Sequence, residues 1–174
     1  MQKYVISILV KNHSGVLRRV SGLFSRRGYN IESISCGMTN DDGISRLTVV
    51  VNGDEFILDQ IIKQVNKLIE VIKVEQLHRA TSVQRELMLV KVKTSPAVRS
   101  ELLEICKIYD AKVVDACTGS LILEVCGDKG KINSFTEMLQ PYSVIETVRT
   151  GLTALIRGDE EFRPENELDC VYYK

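Results

Sequence analysis

The chain has 174 residues, and its 23 Lys and Arg balance 23 Asp and Glu, so it carries no electrostatic footprint for nucleic acid or an anionic membrane. A protein or a small zwitterion is the expected partner. No apolar stretch approaches the length of a membrane span, and five cysteines, at 36, 106, 117, 126 and 170, include no C-x-x-C pair. Their odd number without an export signal predicts reduced core thiols in a cytoplasmic protein, not a disulfide framework.

Tyr4, Ile6, Ile8 and Val10 alternate with Val5, Ser7 and Leu9, the period of a strand with one strongly apolar face. The run is too short for an export signal and has no small-residue cleavage site. Val16, Leu17, Val20, Leu23 and Phe24 then recur at helical spacing, with Gly28 placed for a left-handed cap. Ile34, Cys36 and Met38 fall on one face of a second strand, and Asn40-Asp41-Asp42-Gly43 turns the chain into a third, Ile44 to Val51. Arg46 interrupts that strand, as an edge gatekeeper or as a partner contact. After Asn52-Gly53-Asp54 a second amphipathic helix carries Ile57, Leu58, Ile61, Ile62, Val65 and Leu68, and Val71 to Leu77 is a fourth strand. The order βαββαβ implies an antiparallel sheet with both helices on one face, the ferredoxin-like arrangement.

The plan repeats. Leu87 to Lys93 is a strand, and Ser95-Pro96 opens a helix with a capping hydroxyl and a proline in the first turn. Val98, Leu102, Ile105, Cys106 and Tyr109 mark its buried face. Lys112 to Cys117 and Leu121 to Cys126 form a hairpin, Asp128 caps a helix through Leu139, and Val144 to Val148 is a last strand. The expected fold is therefore α+β, two tandem ferredoxin-like βαββαβ domains at 1–80 and 84–157. Past Arg157 the chain is charged, broken by Pro164 and poor in apolar residues, which predicts a flexible tail over 158–174 with no assigned role.

The halves differ where chemistry would sit. Asn12-His13-Ser14-Gly15-Val16-Leu17 joins the first strand to the first helix. A glycine there lets a ligand approach the backbone, and the first helical N–H groups with the helix dipole favour a carboxylate. Asn12 adds a side-chain amide, and Asn30 a second one within the chain or across a dimer contact. The same Asn and Gly also suit a plain turn, because both tolerate unusual backbone angles. The second half has Lys93-Thr94-Ser95-Pro96 instead, without the glycine and with one donor removed by proline. One amino-acid site, in the first half, is the expectation. His13 and His78 read as surface side chains, and nothing at metal-ligand spacing accompanies them. Arg26 and Arg27 suit a helix C-terminus.

Asn12 to Leu17, Gly22-Leu23-Phe24-Ser25, Arg26-Arg27-Gly28-Tyr29-Asn30-Ile31-Glu32-Ser33-Ile34 and Leu47-Thr48-Val49 together resemble the ACT domain of the small regulatory subunit of acetohydroxyacid synthase (acetolactate synthase). The resemblance continues through Arg85 to Val92 and Val148-Arg149-Thr150-Gly151, and spans roughly residues 2–158. It implies a chain that is no enzyme on its own. Such a chain activates a separate catalytic large subunit that makes 2-acetolactate for branched-chain amino acids, including valine and isoleucine, and it confers feedback inhibition by valine. The thiamine diphosphate, magnesium and any flavin would belong to that partner, leaving no cofactor and no metal here. The resemblance also implies a homodimer of ACT domains with valine at the interface. Asn12, Gly15, Val16 and Leu17 would come from one chain and Asn30 and Ile31 from the other, with Val16, Leu17 and Ile31 meeting the branched side chain.

Two other classes compete. The ferredoxin-like plan also serves small acyl phosphatases, in which Arg18 or Arg19 with Asn30 would handle phosphate and water. That leaves the second half unexplained, and no phosphate loop, dinucleotide fingerprint or nucleophile elbow is present. RNA-recognition modules share the strand order but stack bases on aromatic residues of the sheet, and the third strand offers none.

Overall fold

The alternating apolar residues of the first strand fold as expected in the computed structural model, which describes residues 2–159 and Phe162. Gln2–Lys11 (β1), Val16–Arg26 (α1), Ile31–Met38 (β2), Ile44–Gly53 (β3), Glu55–Val65 (α2) and Val71–Gln76 (β4) follow in the predicted order. The sheet runs β2-β3-β1-β4 and is antiparallel throughout. Tyr4, Ile6, Ile8 and Val10 pair with Val51, Val49, Leu47 and Ser45 of β3, so their common face meets Val16, Val20 and Phe24 of α1 and Leu58, Ile61 and Val65 of α2 in one core. Local chemistry sets the ends. Gly28 takes φ 70°, and Tyr29 N–H reaches back to Phe24 O at 3.0 Å. Asp54 accepts from Ile57 N–H at 2.8 Å, capping α2. Asp41 Oδ1 accepts from Gly43 N–H at 2.8 Å in the turn before β3.

The opposite face of this sheet is covered too. Leu9 and Ile44 pack with Ile72 and Phe162, whose ring centroid lies 5.3 Å from the Arg46 guanidinium and 5.1 Å from Lys73 Nζ. Arg46 Nη2 also donates to Phe162 O at 3.3 Å, and Ser35 Oγ donates to Leu152 O at 2.8 Å. Arg46 is thus no edge gatekeeper, because β3 has neighbours on both sides. Its contact is within the chain, and burial pulls its pKa below the ordinary value by desolvation. By contact the chain divides into residues 84–151 and a first unit that takes 2–83 together with 152–159 and Phe162. Of the expected tail, residues 160, 161 and 163–174 lie outside the described residues.

The second unit comprises Ser82–Lys93 (β5, from Gln84), Pro96–Ile108 (α3), Lys112–Ala116 (β6), Ser120–Gly127 (β7), Lys129–Met138 (α4) and Val144–Arg149 (β8). Its strands run β6-β7-β5-β8, and Met88, Val90, Val92, Leu121, Leu123 and Val125 meet Leu102, Ile105, Ile132 and Phe135 of the helices. Asp128 caps α4 through Lys131 N–H at 2.9 Å, but Ser95 makes no side-chain cap. Thr153–Ile156 forms a further short strand, β9, with no counterpart in the repeat. Of the four described cysteines only Cys106 is a core thiol, its pKa raised by desolvation; Cys36, Cys117 and Cys126 are free but exposed, and Cys170 lies outside the described residues.

Candidate functional site

The β1–α1 turn is pinned from both sides. Lys11 N–H donates to Glu70 O at 2.9 Å ahead of β4, and Asn12 N–H donates to Gly43 O at 2.7 Å ahead of β3. Asn12 Nδ2 donates to Asp42 O at 2.8 Å, a contact that uses the donor end of the amide and not its acceptor Oδ1. Arg19 is ion-paired with the buried carboxylate of Glu70, locking the second turn of α1 to the base of β4.

Gly15 is the N-cap residue of α1, at φ 89°. No atom stands within 4 Å of a Cβ built there, so the glycine answers the backbone angle and the space before the helix is open. No side chain caps α1 and no acidic residue lies in its first turn. The unsatisfied N–H groups and the positive end of the dipole therefore face that space, the arrangement that receives a carboxylate. Leu17, in the first turn of α1, is 48% exposed, whereas Val16 is 3% exposed with its side chain in the core. What Val16 can offer a ligand is its N–H.

Asn30 and Ile31 are far from this turn in the same chain. Ile31 is level with Val51 and Tyr4, while the turn leaves β1 beyond Lys11, level with Ile44. Seven residues of strand separate the levels, about 23 Å. Asn30 is exposed and Ile31 partly buried against the core. The arginine–asparagine pair of an acyl phosphatase is not assembled either, since Arg19 is held by Glu70 and Asn30 follows the far end of α1. Glu70 and Asp42 escape sequence reading because the partners they hold, Arg19 and Asn12, are 51 and 30 residues away.

The equivalent place in the second unit is filled. Ser95 is extended, at φ −133°, Pro96 removes one N–H, and Arg99 Nη2 donates to Cys117 O at 2.6 Å and Thr118 O at 3.3 Å. Among the described residues no group of three or more His, Cys, Asp or Glu is placed to hold a metal, and no helix is long and apolar enough to cross a membrane.

Comparison with known proteins matches each unit to a described family. Residues 6–73 match the AHAS small subunit-like ACT domain, and residues 85–158 match the small subunit of acetolactate synthase. The acetolactate synthase small subunit of Bacillus subtilis is 43% identical over 166 residues, 95% of this chain and 96% of that one. That of Aquifex aeolicus is 42% identical over 168 residues, 96% of this chain and 88% of that one. The crystal structure of the small subunit from Thermotoga maritima superposes with a TM-score of 0.86 at 36% identity, covering 92% of this chain and all of that one.

Proposed function

The chain belongs to the family of acetolactate synthase small subunits, and on that premise we propose that it is the regulatory partner of a separate thiamine-diphosphate-dependent catalytic subunit. It raises the activity of that subunit and confers feedback inhibition by valine. The cofactor, its magnesium and any flavin reside in the catalytic subunit, and this chain takes no chemical step.

The observation that carries the reading is the open, uncapped first turn of α1 behind Gly15. The N–H groups of Val16 and Leu17 hold the valine carboxylate, Asn12 Oδ1 accepts from its ammonium, and Leu17 meets the isopropyl group. Asn30 and Ile31 complete the site from a second copy. Support for that comes from the register: β2 is an edge strand, and antiparallel pairing of two β2 strands carries Ile31 of one chain to the Met38 end of the other, the end from which the turn emerges. A small apolar contact separates branched homologues by only about 1 to 3 kcal/mol per methylene, so valine is preferred over leucine or isoleucine by degree.

An acetolactate assay tests the proposal. The catalytic subunit alone should be less active than with this chain, and valine should inhibit only when the chain is present. Full activity without the chain, unchanged on adding it, would contradict the reading.

A further inference from the structure

The two bonds that pin the β1–α1 turn end at the roots of neighbouring strands. Lys11 N–H goes to Glu70 O and Asn12 N–H to Gly43 O. Ile44 directly follows Gly43, Ile72 lies two residues past Glu70, and Leu9 lies two before Lys11. Phe162 forms one cluster with Leu9 and Ile44, and Ile72 packs against it, on the face of the sheet away from α1 and α2. A single side chain, distant in sequence, thus stands behind all three roots.

Two cations fix where that ring lies. Arg46 and Lys73 are both paired with Leu9, one from β3 and one from β4, and their charges sit 5.3 and 5.1 Å from the ring centroid. Such contacts strengthen where water is excluded, and Phe162 is 6% exposed. Arg46 Nη2 also donates to Phe162 O at 3.3 Å. The ring is held at the level of the sheet next to the turn.

The second unit has the same pins without this apolar set. Lys93 N–H and Thr94 N–H make the equivalent bonds to Ser143 O and Gly119 O, so Lys91, Ser120 and Ile145 take the places of Leu9, Ile44 and Ile72. Ile72 and Ile145 even fall at the same irregularity, each skipped by the register of its strand. Two of the three counterparts are polar, and the third is 55% exposed. A turn of this kind therefore forms without an apolar trio behind it. The trio is found behind the turn that ends on the open, uncapped helix.

We infer that Phe162 is a positioning residue for the valine site, holding the roots of the turn from the opposite face of the sheet. It touches no ligand. Its effect is to keep Asn12 and the N–H groups behind Gly15 in the arrangement that binds, and it rests on the reading of this turn as the valine site. Measured affinity falls in proportion to the time the turn spends in that arrangement, so a turn held there a tenth of the time binds about ten-fold more weakly.

The test uses the full chain, with valine binding read by calorimetry and native-state amide exchange read by NMR without valine. Phe162→Ala should weaken valine binding about ten-fold. The amides of Lys11 and Asn12 should exchange faster relative to that of Ile6 in the same strand, while those of Lys93 and Thr94 stay as in the wild type. Val50→Ala opens a cavity on the same face, four residues along β3 from Arg46 and away from the turn, and should leave valine affinity unchanged. If Phe162→Ala does not fold, Phe162→Leu, apolar but without a ring for Arg46 and Lys73, takes its place with the same expected directions. Wild-type protein that does not bind valine would remove the reading beneath the inference, and the inference with it. Wild-type affinity in the folded Phe162 variant, an equal loss in Val50→Ala, or exchange at Lys11 and Asn12 that rises only in step with Ile6 would overturn the inference alone.

Discussion

The two strand-to-helix turns share a frame and differ in what they leave open. Lys11 N–H and Lys93 N–H both cross to the segment before the last strand of their unit, at Glu70 O and Ser143 O, each at 2.9 Å. Asn12 N–H and Thr94 N–H reach the hairpin at Gly43 O and Gly119 O, at 2.7 and 2.9 Å. Both strands carry an irregularity just before the turn, at Leu9/Val10 and Lys91/Val92. On this common frame the first turn carries His13 and Ser14 as extra residues and ends on a left-handed glycine before an uncapped helix. The second goes straight to Ser95 and Pro96, and Arg99 occupies the hairpin carbonyls. The sheet requires the frame, while a binding site depends on the donors the frame does not use. The first unit leaves the helix N-terminus uncapped by any side chain, while in the second Pro96 removes one donor and Val98 N–H and Arg99 N–H both go to Ser95 O.

The contrast breaks most completely at Gly15. Gly15→Asp places a carboxylate where the ligand carboxylate belongs, so the holoenzyme should stay activated at zero valine and lose inhibition by valine altogether, read in the acetolactate assay. In the first unit Phe162 packs on the sheet face away from the helices. Phe162→Ala empties the contact with Leu9, Ile44, Arg46 and Lys73 and should cost about 3 kcal/mol in urea unfolding of the first unit, the low end for a buried phenylalanine. Asn12→Ala loses a hydrogen bond to a charged ligand, worth about 1.5 to 3 kcal/mol, and should weaken valine binding roughly 10- to 150-fold by calorimetry. Thr94→Ala, its counterpart, should leave that affinity unchanged. Gly15→Ala adds a Cβ at φ 89° without a clash and should cost about 1 to 2 kcal/mol of stability in urea unfolding.

Periodicity carries the fold because each strand has one face buried by helices, and alternation reports that directly. Tyr4 to Val10, the Gly28 cap and the Asp128 cap are all local, and local rules find them. Phe162 is legible only in three dimensions, because the face it covers mixes Ser7, Arg46 and Thr48 with Leu9 and Val50, and no period marks it as buried. The role of Arg46 is hidden for the same reason: its position within β3 says nothing about residue 162. At the candidate site Gly15 and Asn12 are visible as residue types. The core orientation of Val16, the tie from Asn12 to Asp42 and the separation of Asn30 from the turn depend on register and packing.

The central claim is that valine is held at one turn of two that look alike in outline. Titrating valine into the nitrogen-15-labelled chain and following amide resonances tests it most directly. The amides of Gly15, Val16 and Leu17 and the side-chain amide of Asn30 should move and saturate together, while those of Ala97, Val98 and Arg99 stay in place. Saturating valine that leaves Gly15 to Leu17 unmoved, or shifts the Ala97 to Arg99 amides more, would contradict the assignment.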